Sequence, residues 1–286
     1  MNSIEKAVKR LMSGSAPDRQ NNAIGEAAPL AHAASYDTQL MGDKVVCRID
    51  VEKLKQNGFL LPDNAEGGLS EQYRVLKRPV LMNAFKKELD QVEFRNAVMI
   101  TSAIQGEGKT YTSMNLALSM AMERNSTVLL IDSDVVKGSL SKLLGLDGSL
   151  GLVDLLLNPK LDPADVIITT DIPRLKVLPA GRPDPHSTEL LASERMMHIA
   201  QELSARYPDR VVLYDAPPLL ATSQAKVLTH LVGQVLLVVE AGQTPRELVK
   251  ESVALLDKNK IIGVVLNKNK ISANKTYYGG YYGASG

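Results

Sequence analysis

The chain has no tryptophan, three phenylalanines and one cysteine, Cys47, among its 286 residues. A single cysteine excludes a disulfide framework and a multi-cysteine zinc site, and it is typical of a reducing compartment. No stretch approaches the ~18 consecutive apolar residues that a membrane-spanning helix requires. Neither sign of charge is in excess, with 33 Lys and Arg against 32 Asp and Glu, so we expect no overall attraction to nucleic acid or to an anionic membrane.

Tyrosine is the one aromatic residue present in number, and its distribution is uneven. Four of the nine tyrosines lie in the final ten residues, in two pairs that two glycines separate: Tyr277, Tyr278, Tyr281 and Tyr282. Tyrosines that served a hydrophobic core would not be concentrated at a glycine-rich terminus. Because the last fifteen residues also lack an apolar pattern, we expect them to form a mobile tail.

Three regions are predicted along the chain. Residues 1–68 begin with a short amphipathic helix and continue as a connector rich in Ala, Ser, Asn, Gly and Pro. Residues 69–270 alternate short runs of Val, Ile and Leu with helical patterns, which predicts an α/β fold with a doubly wound, mostly parallel sheet and helices on both faces. Pro79 is expected to bend or interrupt the helix that opens this region, unless it begins a second helix. Residues 271–286 are the tyrosine-rich tail.

A phosphate-binding loop is predicted between the first strand of the second region and the helix that follows. Residues 103–110, AIQGEGKT, form a glycine-rich loop ending in Lys-Thr. This is the P-loop pattern, with alanine where the first glycine usually stands. Gly106 and Gly108 allow backbone N–H groups to face phosphate oxygens, and the helix N-terminus adds its dipole. We expect Lys109 to reach the β- and γ-phosphates of a nucleotide and the Thr110 hydroxyl to bind Mg²⁺.

Carboxylates that would complete a metal site follow two other buried strands. The run RVVLYDAPP contains Asp215 in the Walker B arrangement, in which the carboxylate meets Mg²⁺ through water. The run TVLLIDSD places Asp132 and Asp134 at a strand end, and side chains two residues apart on an extended chain point the same way. Each signal is weak alone, but the combination downstream of a P-loop is strong. We therefore predict that Thr110, Asp132 and Asp215 form a metal site.

These motifs resemble those of the bacterial tyrosine kinases, or BY-kinases, which are P-loop autokinases of polysaccharide export unrelated in fold to eukaryotic kinases. Residues 103–110 match the family's Walker A motif, residues 128–134 its Walker A′ motif, and residues 211–218 its Walker B motif. The opening MNSIEKAVKRL and the segment SEQYRVLKRPVLMNAF are similar to a narrower subgroup. That subgroup is the exosortase (PEP-CTERM) associated tyrosine autokinases of exopolysaccharide operons.

The resemblance implies how subunits assemble and what activates them. The segment EQYRVLK, with Glu71, Arg74 and Lys77, is similar to the ExxRxxR helix that pairs family members in a homo-oligomeric ring. The tail matches the family's phosphorylation cluster, so its four tyrosines are candidate phosphoacceptors. Family members are activated by a membrane-embedded chain-length determinant, a polysaccharide co-polymerase. A separate membrane partner and a cytoplasmic, peripheral position at the inner membrane are therefore implied, with no nucleic-acid partner.

The resemblance also implies an ATP-dependent protein-tyrosine kinase in which a tail hydroxyl attacks the γ-phosphate of MgATP, in trans within a ring. The predicted catalytic residues are Lys109, Asp132, Asp134 and Asp215. Asp132 is our choice for the base and Asp134 for a place in or near the metal shell, although the two roles could be exchanged. Nucleotide contacts are expected from the loop, the helix start and two residues after the last strand: Gly106, Glu107, Gly108, Lys109, Thr110, Tyr111, Asn267 and Lys268.

One departure and two alternatives accompany this interpretation. Walker A′ usually continues to an arginine two residues after its second Asp, where this chain has Val136 and then Lys137, and lysine does not replace a bidentate arginine. A MinD/ParA-type ATPase switch shares these motifs, but it carries an extra lysine where this chain has Ile104 and leaves the tail unexplained. A pseudo-kinase adaptor would bind ATP without turnover, and the intact Lys109 and Asp215 weigh against it.

Overall fold

A single sheet organises the part of the chain that the computed structural model describes, residues 38–41, 44–61, 67–89 and 92–269. Its nine strands in these ranges are β1 (Thr38–Met41), β2 (Lys44–Cys47), β3 (Ala97–Ser102), β4 (Thr127–Asp132), β5 (Ile168–Thr170), β6 (Leu175–Leu178), β7 (Arg210–Asp215), β8 (Gln234–Glu240) and β9 (Ile261–Asn267). The predicted N-terminal helix and the tyrosine tail lie outside the described residues.

The α-helices of the same ranges connect these strands. They are α1 (Val51–Gln56), α2 (Gly68–Phe85), α3 (Lys109–Ala121), α4 (Ser139–Leu143), α5 (Leu152–Leu157), α6 (Pro163–Val166), α7 (Ser187–Leu191), α8 (Glu194–Ala205), α9 (Ser223–Leu228) and α10 (Arg246–Ala254). Within the described ranges, none of the helices is long and apolar enough to cross a membrane.

The sheet has the order β1-β2-β5-β6-β4-β7-β3-β8-β9. From β6 to β9 all neighbours are parallel, which confirms the predicted doubly wound, mostly parallel α/β fold. β5 runs antiparallel to β6, and β1 and β2 form an antiparallel pair at one edge. Because β3 and β4 lie on either side of β7, the carboxyl ends of these three strands meet at one place, where such folds bind ligands.

Helices cover both faces of the sheet and enclose two cores. One core contains side chains from α1 to α4, among them Leu54, Tyr73 and Leu116. The other contains side chains from α5 to α9, among them Leu155 and Met196, with α10 packed against it. Every residue of β3 and β7 is buried, as expected for strands that are covered on both faces.

The stretch from residue 44 to residue 61 belongs to the same packed unit as the phosphate-loop domain. β2 pairs with β5, while Cys47 and Leu54 are each 1% exposed within the core that α2 and α3 share. The sequence pattern places this stretch in an N-terminal region that ends at residue 68. In the structure, residues 44–61 pack with the phosphate-loop domain instead. Their sequence does not indicate this, because the contacts are with strands and helices that are distant along the chain.

Pro79 does not interrupt α2, which is one helix from Gly68 to Phe85. The expected break is therefore corrected. Proline removes the hydrogen bond that its N–H would donate to the carbonyl four residues earlier. That earlier residue is Val75, which is 61% exposed, so water can satisfy its carbonyl on the solvent side of the helix.

Candidate active site

The loop between β3 and α3 has the backbone of a phosphate cradle. Gly106 and Gly108 have φ values of 93° and 92°, a region that favours glycine because it lacks a Cβ. At Gly108 a Cβ would also lie 2.1 Å from Asn267 Nδ2. Ala103, where the pattern usually has glycine, is fully buried and is not among the described residues with positive φ. This position therefore does not require glycine here.

The buried carboxylate of Glu107 stabilises the loop through hydrogen bonds. The residue is 1% exposed, and its Oε2 atom accepts a hydrogen bond from Ile104 N at 2.8 Å. Its Oε1 atom accepts from the Thr244 hydroxyl and from Glu240 N, the latter at 3.3 Å. We predicted a nucleotide contact at this residue, and the structure turns its carboxylate away from the cradle. A phosphate contact at this residue would therefore have to come from its backbone and not from its carboxylate.

Lys109, at the start of α3, lies among three carboxylates. Its ammonium forms an ion pair with Asp134, with a separation of 2.9 Å between Nζ and Oδ2. Burial lowers the pKa of Lys109, but Asp215, Asp134 and Asp132 together outweigh it and leave the pKa above its usual value. The side chain is therefore charged, buried and held beside the cradle before any ligand arrives.

Asp215 joins the end of β7 to the first turn of α3. Its Oδ2 atom accepts from the Thr110 hydroxyl at 2.8 Å and its Oδ1 atom from the Ser113 hydroxyl at 3.0 Å. Burial raises the pKa of Asp215, and the nearby Lys109 opposes that rise. Ser113 was not predicted as a site residue, although its place one helical turn after Thr110 could have indicated it.

Asp132 is fully buried at the end of β4. Its Oδ2 atom accepts from Ser141 twice, from N at 2.8 Å and from Oγ at 2.7 Å. Its Oδ1 atom has no hydrogen-bond partner. Burial, followed by repulsion from Asp215, raises the pKa of Asp132 to about 7. Asp132 and Asp134 thus differ in their contacts, one with Ser141 and the other with Lys109.

This donor set fits a hard cation such as Mg²⁺. The available atoms are oxygens of Thr110, Asp215 and Asp132, and the buried, unpartnered Asp132 Oδ1 is one that a metal-bound water could satisfy. The described residues contain no preformed cluster of three or more His, Cys, Asp or Glu side chains able to hold a metal. Mg²⁺ ordinarily uses only one or two carboxylates together with water and phosphate oxygens.

Two residues at the end of β9 fasten the other side of the loop. Asn267 Nδ2 donates to the carbonyl oxygen of Glu107 at 2.8 Å, and Lys268 Nζ donates to that of Gly106 at 2.7 Å. Next to them a groove of about 880 Å³ runs between α2 and β9, with Tyr111 in its wall. The Tyr111 hydroxyl itself donates to Gly58 O at 2.7 Å, so this side chain holds residues 44–61 on α3.

The EQYRVLK segment on α2 does not act as one surface. Glu71 and Arg74 form an exposed ion pair, as a contact surface requires. Lys77 is only 6% exposed; its ammonium donates to Ser119 O at 2.8 Å and pairs with Glu123 at 2.7 Å. The expectation that Lys77 presents its charge to another subunit is therefore corrected, because the side chain binds the C-terminal end of α3.

The strand, cradle and carboxylates define a P-loop nucleotide-binding domain. In keeping with this, the family model described as CbiA, the CobQ/CobB/MinD/ParA nucleotide binding domain, matches residues 98–278. That family includes proteins of several activities, so its match establishes the class of the domain.

Comparison with individual proteins shows which members of this nucleotide-binding class the chain is similar to. The chain is 34% identical over 217 residues to tyrosine-protein kinase YwqD of Bacillus subtilis (strain 168), covering 75% of this chain and 86% of the relative. It is 32% identical over 223 residues to putative tyrosine-protein kinase CapB of Staphylococcus aureus, covering 77% and 93%. The solved kinase domain of Escherichia coli tyrosine kinase ETK superposes with a TM-score of 0.63 at 29% identity, covering 77% of this chain and 83% of that domain.

The chain therefore belongs to the bacterial tyrosine-protein kinases and is a protein-tyrosine kinase.

Proposed function

We propose that this kinase transfers the γ-phosphate of MgATP to the tyrosines of its own C-terminal tail, on a neighbouring copy within a ring. The observation that carries the proposal is the arrangement around the phosphate cradle. Lys109, Thr110 and three carboxylates from two strand ends meet there, with the Lys109–Asp134 and Thr110–Asp215 contacts already formed. Phosphoryl transfer depends mainly on positioning and on charge stabilisation, which this arrangement supplies.

Each group has a role in nucleotide binding. The loop N–H groups and the α3 N-terminus hold the phosphates, and Lys109 exchanges Asp134 for the β- and γ-phosphate oxygens. Thr110, Asp215 and Asp132 would hold Mg²⁺. When bound, Mg²⁺ neutralises charge on the β- and γ-phosphates. The groove between α2 and β9 accepts the nucleoside, beside Asn267 and Lys268.

Asp134 is the carboxylate we favour for the acceptor proton. In the transfer step a bond forms between Tyr Oη and Pγ, and the bond from Pγ to the oxygen bridging to ADP breaks. The phenol proton passes to a carboxylate, since a tyrosine hydroxyl with its ordinary pKa near 10 is a weak nucleophile at neutral pH. Both carboxylates are buried, but Asp134 lines a cleft and is freed when Lys109 turns to the phosphates, whereas Asp132 stays bound to Ser141. The roles first assigned to these two residues are thus exchanged in our proposal.

The tail sequence supports transfer between copies. An extended chain spans ~3.3 Å per residue, so the twelve residues from 271 to 282 can reach on the order of 40 Å. Each phosphotyrosine adds about −1.5 to −2 charge, so four add roughly −6 to −8. Against a formal net charge of +1, that repels neighbouring tails and weakens a ring held by contacts such as those of Glu71 and Arg74. Phosphorylation then acts as an assembly switch.

The cellular setting we propose is exopolysaccharide synthesis and export. The chain would act peripherally at the inner membrane, in the cytoplasm, activated by a membrane-embedded chain-length determinant, as the sequence resemblance to the exosortase-associated subgroup implies. A measurement of autophosphorylation with and without the cytoplasmic segment of such a partner tests this. An unchanged rate would remove the activating partner from the proposal while leaving the kinase reaction intact.

A mixing experiment tests transfer between copies. One full-length chain carries Lys109→Met and an intact tail; the other is active and has all four tail tyrosines changed to Phe. We expect alkali-stable phosphate from labelled ATP on the Lys109→Met chain only when both are present. Phosphate on the tail-Phe chain equal to that on the unmodified protein would contradict the tail as acceptor. Tight ATP binding without any transfer would instead indicate a pseudo-kinase adaptor.

A further inference from the structure

A second cavity lies on the other side of the phosphate loop from the nucleoside groove. This cleft, of about 360 Å³, is lined by Gln105 of the loop, by residues after β4 and β7, and by the start of α9. In the sheet order, β4 and β7 lie on one side of β3, while β8 and β9 lie on the other. A nucleotide with its base at β9 and its phosphates over the end of β3 therefore points its γ-phosphate toward this cleft.

The walls of the cleft suit an aromatic ring with one polar end. Val136, Pro217 and Pro218 provide apolar surface, and Val136 is 68% exposed. Asp134 provides a carboxylate beside the phosphate loop. A tyrosine side chain needs this combination, an apolar enclosure for the ring and an acceptor for the hydroxyl.

Gln224 adds a hydrogen-bond acceptor that has no donor within the chain. It lines the cleft and is 4% exposed. Its Nε2 atom donates to the Thr188 hydroxyl at 3.0 Å, which fixes the amide, while its Oε1 atom is buried without a partner. Leaving a buried acceptor unpaired is unfavourable, and a backbone N–H of a bound peptide would supply the missing donor.

The geometry points to Val136 and Gln224 as the residues of this cleft that select the acceptor: Gln224 accepts from a backbone N–H beside the tyrosine, and Val136 favours flanking residues that are not acidic. This inference rests on the proposed kinase reaction at the adjoining loop. Val136 stands where related motifs carry an arginine, and an arginine at the mouth would attract acidic flanks. The tail agrees with the uncharged residue, because residues 271–286 contain no Asp or Glu. Lys137 also lines the cleft and supplies one cation near the transferred phosphate.

Kinetics on peptides tests the selection. The enzyme is the full chain with its four tail tyrosines changed to Phe, and the acceptors are KTYYGGYYGA and the same peptide with glutamates in place of both central glycines. We expect Val136→Arg to raise the KM for the first peptide and to shift the preference toward the acidic peptide by about fivefold. Gln224→Leu should raise the KM for both peptides, and Gln224→Glu, which keeps the acceptor oxygen, should raise it less.

Two controls separate the cleft from general damage. Leu157→Arg changes a 52% exposed residue at the end of α5, away from the cleft, and should leave both peptide KM values unchanged. The KM for ATP should be the same in all these variants. Peptide KM values and preference that stay unchanged in both Val136→Arg and Gln224→Leu would overturn the assignment.

Photo-cross-linking locates the acceptor without relying on catalysis. A tail peptide with benzoylphenylalanine in place of the second tyrosine is irradiated with the same full chain and ADP, and the cross-linked residue is identified by mass spectrometry. Cross-links at Val136 or at residues 217–224 would support the cleft. Cross-links in the groove between α2 and β9, or none, would overturn it. A failure of phosphate transfer with cross-links in the cleft would instead count against the proposed reaction.

Discussion

A substitution at Lys77 distinguishes residues of the EQYRVLK segment that stabilise the fold from residues that mediate subunit assembly. We predict that Lys77→Met destabilises the chain while the exposed Glu71 and Arg74 govern subunit contacts. The ammonium donates to Ser119 O at 2.8 Å from a side chain that is 8% exposed, and a hydrogen bond to a charged group contributes about 1.5–3 kcal/mol. Its partner Glu123 is 46% exposed, so solvent screens that ion pair and it adds little.

The expected loss is therefore about 2 kcal/mol, which lowers Tm by roughly 4–8 °C for a domain of this size. Differential scanning calorimetry of the nucleotide-free chain measures it. Arg78→Met, one position along on the exposed side of α2, is the matched control and should change Tm little. Arg74→Ala should weaken assembly in analytical ultracentrifugation with little change in Tm. The reasoning is refuted by a Lys77→Met chain that melts like Arg78→Met yet no longer assembles.

Three further changes test the site. Burial raises the pKa of Asp132 to about 7, so between about pH 4 and pH 7 the unfolded state releases this proton while the folded state keeps it. The free energy of unfolding of the metal-free chain should therefore fall by on the order of 3 kcal/mol over this range. Urea titrations measure this, and in Asp132→Asn the free energy of unfolding should depend less on pH. Gly108→Ala, with its φ of +92° and a clash at 2.1 Å, should weaken binding of a fluorescent nucleotide about tenfold or more. Gly145→Ala is the control: this glycine also has a positive φ, but no atom lies within 4 Å of the added Cβ, so nucleotide binding should be unchanged. Asn115→Leu leaves the buried N–H of Leu60 unpaired and should cost about 1–3 kcal/mol in the same titrations.

The innermost strands of the sheet were predictable because each is a run of apolar residues that is covered on both faces. β3 and β7 are buried at every position, so their sequences carry the signal without any tertiary information. The short strands at the β1 edge of the sheet, β1, β2 and β5, were not predicted. β5 has three residues and only Thr170 is buried, and β2 gains its place by pairing with a strand more than a hundred residues later.

Polar residues that act inside the structure were the least predictable. Lysine and glutamate are expected on the surface, but Lys77 on α2 and Glu107 in the phosphate loop are 6% and 1% exposed, because each has hydrogen-bond partners that are distant in sequence. The carboxylates were located correctly at strand ends, but Ser141 was not foreseen as the partner of Asp132. The helical stretch from Ser187 to Ala205 is likewise divided into α7 and α8, since the Ser193 hydroxyl accepts from Met196 N and begins α8.

The phosphate loop and the helix that follows it are held by residues from near both ends of the described chain. Tyr111 at the start of α3 binds Gly58, whereas the loop carbonyls receive Asn267 and Lys268 from the end of β9. Proteins are synthesised from the N-terminus, so a nascent chain has its loop lysine long before it has the residues that fasten the loop. The loop is therefore complete only after the last strand of the sheet, β9, has been made. A chain that stops before Asn267 would have the loop lysine but not the side chains that hold the loop carbonyls.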